Sequence, residues 1–324
     1  MAVIIAASAA FGFGVSLISD SDLPSGTLAG VLIALFIATL ENLLQGPGAA
    51  TVRHWPPAVL LLLRTALYGV AFVVMVHVAT AIVFRSWEPI VHPTRLVSNA
   101  TLFLSFCFAF AVNFSVMLGR LLGSRVAMSL VIGRYRRPRK EERIVLFMDL
   151  RGSTKLAEQL GDERFHGFLN QVFSDIADPV LETGGEIYRY VGDEVIITWP
   201  VEGSPRDARC VACVFAIEAV LASGRERYLS DYGAVPRLRA ALHAGPLIVG
   251  EMGDLKREIV LLGDTMNTAA RIENACRTLD KDVIASAPTL RLFAPPAGVR
   301  AQSLGVVALR GKETELELFA LTRG

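Results

Sequence analysis

Arg143–Thr154, RIVLFMDLRGST, is the stretch that decides the fold, because a buried strand ends there and a helix begins. The apolar run Ile144–Met148 predicts a strand that places Asp149 at its carboxyl end, and Gly152–Thr154 predicts the first turn of a helix. The free backbone N–H groups at a helix start bind phosphate oxygens. The stretch indicates a phosphate or cation site, although an aspartate in this position is also a common helix cap.

A second stretch, Gly184–Pro200, GGEIYRYVGDEVIITWP, predicts two strands joined at Gly192 and Asp193. Gly-Asp between two β-rich runs is a hairpin signal, which puts Asp193 on a tight turn. If this hairpin lies beside the first strand, Asp149 and Asp193 meet at one end of a sheet. Two such carboxylates can hold a pair of Mg²⁺ ions roughly 3.5–4 Å apart. Each feature alone is more often an ordinary cap or turn, and their coincidence favours the metal site.

A third stretch, Leu261–Arg277, LLGDTMNTAARIENACR, predicts a helix that begins near Asp264. Asn267 and Arg271 are four residues apart, so they project from one face of that helix. An amide and a guanidinium on one face could hold a sugar and the charge that develops on a phosphoryl group. The alternative is a surface amide and a surface ion pair.

Four motifs occur along the chain in the order FMDLRGST, GGEIYRYVGDEV, LRAALHAGPLIVGEMG and LLGDTMNTAARIE. Through them, Arg143–Leu321 resembles the catalytic domain of the class III nucleotidyl cyclases, the adenylate and guanylate cyclases. The alternation of strands and helices over this range predicts an α+β domain with a central, mostly antiparallel sheet. Its expected elements include a helical region from Ser153 to Glu182 with a break near Gly161, a long helix from about Pro205 to Tyr228 and a strand from about Leu238 to Ala244. The resemblance implies a homodimer with composite sites, in which one protomer lends the aspartates and its partner lends the asparagine and arginine.

The resemblance also implies roles for individual residues. Two Mg²⁺ or Mn²⁺ ions and an ATP substrate are expected. Asp149 and Asp193 would bind the metal ions together with Leu150. Asn267 would orient the ribose, and Arg271 would stabilise the transition state. The phosphates would be contacted by Arg239 and by Gly152, Ser153 and Thr154, and the terminal phosphates by Arg310 or Lys312.

The purine base is the point at which the sequence departs from the family's pattern. Arg189 stands where the family carries a base-reading lysine, and Val260 stands where adenylate cyclases carry aspartate or threonine. Neither position carries the glutamate and cysteine of guanylate cyclases, so ATP is the preferred substrate. The alternatives are a guanylate or diguanylate cyclase that uses GTP, and a catalytically weak cyclase-like receptor that binds nucleotide and dimerises.

The composition of the 324-residue chain is 52% hydrophobic, and the apolar excess lies almost wholly before residue 119. Four stretches there approach the ~20 residues that a bilayer-spanning helix requires. These stretches are Ala2–Ile18, Thr27–Leu44, Ala58–Phe84 and Leu96–Leu118. We therefore expect a four-helix transmembrane domain over 1–118, an amphipathic linker helix over 119–142 and a catalytic domain over 143–324.

Basic residues set the expected orientation in the bilayer of the cell membrane. Arg53 and the basic cluster Arg134–Lys140 place the middle and final segments, and with them the catalytic domain, in the cytoplasm. This cluster is expected to face anionic lipid, because a net charge of +1 does not favour a nucleic-acid partner. Glu41 and Arg64 could form an ion pair or extend to the headgroups, and His77 could be a sensor or a packed histidine.

Overall fold

The computed structural model describes residues 27–28, 31–32, 35–36, 39, 57–84, 103, 106–107, 109–115, 117, 132–201, 208–255, 257–309 and 315–324. The chain divides into two compact units, Met1–Ala127 and Met128–Gly324. The domain boundaries expected from the sequence, 1–118, 119–142 and 143–324, stay predictions.

In the first unit, the third apolar stretch forms helix α1, Pro57–Phe84. The side chains of α1 are described without a break only over 59–75. Among the described residues, we find no helix long and apolar enough to cross a membrane. Glu41 and the side chain of His77 lie outside the described residues, so the roles suggested for Glu41, Arg64 and His77 stay predictions, as does the four-span bundle.

The second unit is built on a sheet that, over its described residues, has eight strands. These are β1 (Arg139–Leu150), β2 (Glu186–Val191), β3 (Glu194–Pro200), β4 (Leu238–Met252), β5 (Glu258–Leu262), β6 (Val283–Ser286), β7 (Val299–Val307) and β8 (Leu316–Arg323). Their order is β2-β3-β1-β4-β6-β8-β7, and β5 pairs with β4. The β4–β6 pairing is parallel and the other pairings are antiparallel. The expected mostly antiparallel sheet is confirmed.

Helices cover both faces of this sheet. They are α2 (Ser153–Leu160), α3 (Asp162–Asp175), α4 (Ala177–Glu182), α5 (Arg209–Ser223), α6 (Arg225–Tyr232), α7 (Asp264–Thr278) and α8 (Ala287–Leu290). The sequence predicted one helix from about Pro205 to Tyr228, whereas the structure separates α5 from α6 at Gly224. A Cβ atom at Gly224 would come within 3.2 Å of the Tyr228 ring, so glycine permits the close approach at this junction.

The alternation of side chains along β1 divides the core into two clusters. Leu146 and Met148 pack with residues of α3 and α5 on one face of the sheet. Val145 and Phe147 pack with Ala269 and other residues of α7 on the opposite face. Because successive side chains of a strand point to opposite faces, Asp149 continues the second series and lies on the α7 side.

The amino-terminal end of β1 is held by a buried ionic cluster around Arg143. The Arg143 guanidinium lies 2.9 Å from the Glu141 carboxylate and 2.8 Å from that of Glu186, and its side chain is only 7% exposed. It also donates a hydrogen bond to Thr198. The sequence assigned 119–142 to the linker helix, but the last four residues of that range already belong to β1, because the strand begins directly after Pro138.

Candidate active site

Asp149 and Asp193 come together at the carboxyl end of β1. Asp149 pairs in register with Glu194 of β3, and Asp193 occupies the two-residue turn that precedes Glu194. Gly192, the other residue of the turn, has φ 64°, a left-handed conformation that glycine adopts without strain. The two aspartate side chains lie within hydrogen-bonding reach of each other, so the hairpin predicted from Gly-Asp delivers the second carboxylate to the first.

Negative charge is concentrated around this pair. Burial of the side chain, followed by the hydrogen bond and the charge of Asp193, raises the pKa of Asp149 to about 6. Burial, followed by the charges of Glu273, Asp149 and Asp193, raises the pKa of Glu194 to about 7. Buried carboxylates this close together cannot all ionise without a positive partner. The cluster therefore attracts a cation, and oxygen ligands of this kind suit Mg²⁺.

The donors offered to a metal ion are few. Over the described residues, no group of three or more His, Cys, Asp or Glu side chains is arranged to hold a metal ion. The side chain of Leu150 is buried among the residues on the opposite face of the sheet, so this residue can contribute only its main-chain carbonyl. Two carboxylates and a main-chain oxygen fit a Mg²⁺ ion that keeps water and substrate phosphate as its other ligands.

Arg277 of α7 is a member of this site that the sequence analysis did not single out. Its Nη2 donates to Oδ2 of Asp149 at 2.5 Å, and its Nε donates to Oε1 of Glu273 at 3.2 Å. The Glu273 side chain is 5% exposed and that of Arg277 is 53% exposed. The four-residue spacing of Glu273 and Arg277 was visible in the sequence, whereas the contact with Asp149, 128 positions away, was not.

The phosphate side of the site lies next to Asp149. Gly152, at φ 74°, precedes helix α2, and no side chain caps the helix start that Ser153 and Thr154 form. Arg239 of β4 lies directly opposite Asp149 on the neighbouring strand. The Nε of Arg239 is buried and has no hydrogen-bond partner among the described residues, which favours an anionic ligand at this position.

Asn267 and Arg271 lie on α7 but outside its buried face, which includes Ala269, Ile272 and Glu273. Asn267 is exposed and Arg271 is partly exposed. Asn267 also precedes Arg277 by about 15 Å along the helix axis. The structure of one protomer therefore does not direct this pair at its own aspartates.

The predicted base-reading residues lie on two strands, Arg189 on β2 and Val260 on β5. Arg189 is exposed, and its Nη2 donates to Oε2 of Glu258 at 2.5 Å. Glu258 and Val260 are two residues apart on β5, so they share one face of the strand. Glu258 therefore supplies a carboxylate beside the apolar Val260. Glu258 was not predicted from the sequence, although the alternation of side chains along β5 places it on the same face as Val260.

Arg310 and Lys312 lie outside the described residues, so their expected contact with the terminal phosphates stays a prediction.

Comparison with known proteins gives this geometry a context. Residues 136–323 match the family model of the adenylate and guanylate cyclase catalytic domain. The chain is similar to Adenylate cyclase 2 of Rhizobium meliloti (strain 1021), with 47% identity over 213 residues, which cover 66% of this chain and 59% of that protein. The chain thus spans about 59% of the length of this relative.

Two solved structures share the fold. The structure of a bacterial light-regulated adenylyl cyclase aligns with a TM-score of 0.58 and 21% identity, covering 69% of this chain and 66% of that chain. The adenylyl cyclase CyaB from P. aeruginosa aligns with a TM-score of 0.51 and 21% identity, covering 58% of this chain and 97% of that chain.

Proposed function

Because this chain belongs to the family of adenylate and guanylate cyclase catalytic domains, we propose that it is an adenylate cyclase, which converts ATP into 3′,5′-cyclic AMP and pyrophosphate. The observation that carries the proposal is the carboxylate pair formed by the buried Asp149 and the half-buried Asp193, next to an uncapped helix start. The 47% identity with a protein named adenylate cyclase supports ATP as the substrate.

In this proposal Asp149, Asp193 and the carbonyl of Leu150 hold two Mg²⁺ or Mn²⁺ ions. When bound, such ions lower the pKa of a hydroxyl and neutralise phosphate charge. The ribose 3′-oxygen forms a bond to the α-phosphorus and gives its proton to water, while the bond from that phosphorus to the leaving pyrophosphate breaks. The chain's own residues align these atoms.

The remaining residues act on the substrate. The helix start at Gly152, Ser153 and Thr154 and the guanidinium of Arg239 receive phosphate oxygens. Arg271 of the partner subunit neutralises the charge at the reacting phosphorus, and Asn267 of the partner subunit orients the ribose. We also assign Arg310 or Lys312 to the terminal phosphates, on the strength of the sequence motif alone.

The homodimer is part of the proposal. Asn267 and Arg271 lie outside the buried face of α7. Residues that contribute to the active site of a second protomer have to be accessible in this way. Large apolar side chains are also exposed on β2 and on the β4–β5 hairpin, and an exposed apolar surface of this kind marks an interaction site. They are Tyr190, Val191, Ile248, Met252 and Leu262.

We further propose that the chain is anchored in the cell membrane, with its catalytic domain in the cytoplasm. Support comes from the four apolar stretches before residue 119 and from the basic cluster Arg134–Lys140 that follows them. A cytoplasmic location would give the site access to ATP.

GTP is the second candidate substrate, because the Arg189–Glu258 pair is compatible with guanine. A guanidinium can donate to guanine O6 and a carboxylate can accept from its N–H groups. The same pair could also donate to adenine N1 and accept from the adenine amino group, so it suits both purines. The match to this family argues against a diguanylate cyclase.

The proposal is tested by offering the purified full chain ATP or GTP, each with Mg²⁺ or Mn²⁺, and identifying the product by mass spectrometry. Cyclic AMP from ATP is expected, and Asp149→Ala should lower the rate at least about a hundredfold. Asp231→Ala, an exposed aspartate outside the site, is the matched control and should leave the rate unchanged. Near-normal turnover by Asp149→Ala would overturn the assignment, and preferential formation of cyclic GMP would replace ATP with GTP. A chain that binds nucleotide but yields no cyclic product would support the receptor alternative.

A further inference from the structure

Arg277 occupies the place in the acidic cluster where a cation is needed. Its guanidinium contacts Oδ2 of Asp149 at 2.5 Å, and Asp149 in turn lies against Asp193. Glu273 and Glu194 add further negative charge on the same side of the sheet. The guanidinium thus offsets part of the negative charge of these carboxylates.

The position of Arg277 is set by a buried anchor. Glu273 lies one helical turn before it on α7, is 5% exposed, and accepts a hydrogen bond from its Nε at 3.2 Å. The fork of the guanidinium therefore joins two carboxylates through different nitrogen atoms, a geometry that the point charge of a lysine cannot reproduce. This arrangement points to a defined position rather than an incidental surface ion pair.

We propose that Arg277 is a positioning residue that holds the cation position at Asp149 in the nucleotide-free protomer and opposes the binding of a divalent cation there until its guanidinium turns away. This inference rests on the proposed function, because it takes Asp149 as a metal ligand. The positive charge of the guanidinium lies 2.5 Å from Oδ2 of Asp149, so a divalent cation bound to Asp149 would be repelled by Arg277 until that side chain turns away.

The side chain is able to leave. Arg277 is 53% exposed, so its guanidinium can turn into solvent and recover hydration, whereas Glu273 and Asp149 are buried and stay in place. Arg277 thus sets how tightly the resting site takes up its cation. In the empty site, the guanidinium offsets the mutual repulsion of the carboxylates. The same positive charge weakens the binding of a divalent cation.

The experiment measures Mn²⁺ binding to the nucleotide-free full chain in detergent at pH 8 and fixed ionic strength, by calorimetry and by the spin-resonance signal of free Mn²⁺. Arg277→Gln should bind Mn²⁺ about five- to tenfold more tightly than the wild type, since a charge-assisted hydrogen bond no longer competes. Arg277→Lys, which keeps the charge but loses the fork, should fall between the two. Thermal unfolding of the metal-free proteins checks that both variants fold, and the lysine variant decides if the glutamine variant does not.

The matched control is Arg227→Gln, which removes an arginine that pairs with Asp175 away from the site. It should leave Mn²⁺ affinity unchanged. Equal or weaker Mn²⁺ binding by Arg277→Gln overturns the inference about Arg277. Asp149→Asn tests the proposed metal site separately from the role of Arg277. If it fails to weaken Mn²⁺ binding in both the wild-type and the Arg277→Gln backgrounds, the proposed metal site itself is wrong.

Discussion

At the level of single side chains, Glu194 should make the free energy of unfolding depend on pH. Its pKa is raised to about 7, first by burial and then by the charges of Glu273, Asp149 and Asp193. The folded protein therefore binds this proton more tightly than the unfolded chain does, and the resulting stability is present below about pH 4.5 and lost as pH rises through about 7. Glu194→Gln removes this loss, and its free energy of unfolding should exceed that of the wild type by about 1 kcal/mol at pH 8.

Urea unfolding followed by circular dichroism at pH 4 and pH 8 measures this difference. The variant and the wild type should agree at pH 4, where Glu194 is protonated in both states. Glu317→Gln, at an exposed position on β8, should show no difference at either pH. If the variant and the wild type have the same free energy of unfolding at pH 8, burial and the neighbouring charges do not raise the pKa of Glu194.

The single residues that the sequence could and could not identify differ in a physical way. Asp149 and Asp193 were found because local signals, a strand end and a Gly-Asp turn, fix their positions. Glu194, Glu273 and Arg277 were missed because their role depends on which face of β1 the α7 helix covers. That choice is made by packing between segments more than 100 positions apart, and no short-range pattern records it.

At the level of secondary-structure elements, the start of α2 depends on a glycine. Gly152 has φ 74° and a Cβ atom there would meet nothing within 4 Å, so Gly152→Ala introduces backbone strain without a clash. We expect a loss of about 1 kcal/mol in the free energy of unfolding. Gly167 lies inside α3, where a Cβ atom would make an ordinary 3.5 Å contact with Tyr232, and Gly167→Ala should add up to about 1 kcal/mol. Opposite signs in thermal unfolding are the expected outcome, and destabilisation of both variants would refute it.

The ionic cluster of Arg143 ties β1 to the β2–β3 hairpin, and its removal should be costly. Arg143→Met leaves the carboxylates of Glu141 and Glu186 without this partner, and breaking a buried pair in this way costs about 3–5 kcal/mol. Arg151→Met, which removes the more exposed pairs with Asp280 and Asp282, should cost far less than Arg143→Met, because solvent screens exposed ion pairs. Denaturant unfolding compares the two variants, and similar losses would contradict the difference in burial.

The elements themselves were largely readable from the sequence because glycine and proline mark their ends. Gly161 separates α2 from α3 as predicted, and α7 begins at Asp264. Strand β4 was expected to end near Ala244, but it continues to Met252. Its second half pairs with β5 in a hairpin. The long-range pairing of β4 with β1 runs through Gly245 and Pro246 and carries the strand across these residues, which read locally as a turn.

For the whole molecule, the composite sites of the proposed dimer predict complementation between two inactive chains. Asp149→Ala and Arg271→Ala should each be inactive alone, because each defect affects both sites of a homodimer. In a mixed dimer, one site carries both defects and the other carries none. Equal amounts co-expressed and assembled at random should therefore recover about a quarter of wild-type cyclase activity.

The readout is the rate of cyclic nucleotide formation across mixing ratios, with a maximum at equal amounts. The double variant, with both substitutions in one chain, is the control and should rescue neither single variant. Absence of any recovery when the mixed dimer is shown to form would mean that both residues serve the same protomer.

Because β1 packs on both faces, the number of residues between Arg143 and Asp149 cannot change. One residue inserted between Arg143 and Asp149 would turn every later side chain over, and the aspartate would enter the cluster around Leu146 and Met148 instead of facing α7. A shift of two residues would restore the face but displace the carboxylate by about 7 Å along the strand, beyond reach of its turn. We therefore expect homologous chains to differ in the length of their loops but to have the same number of residues in this strand.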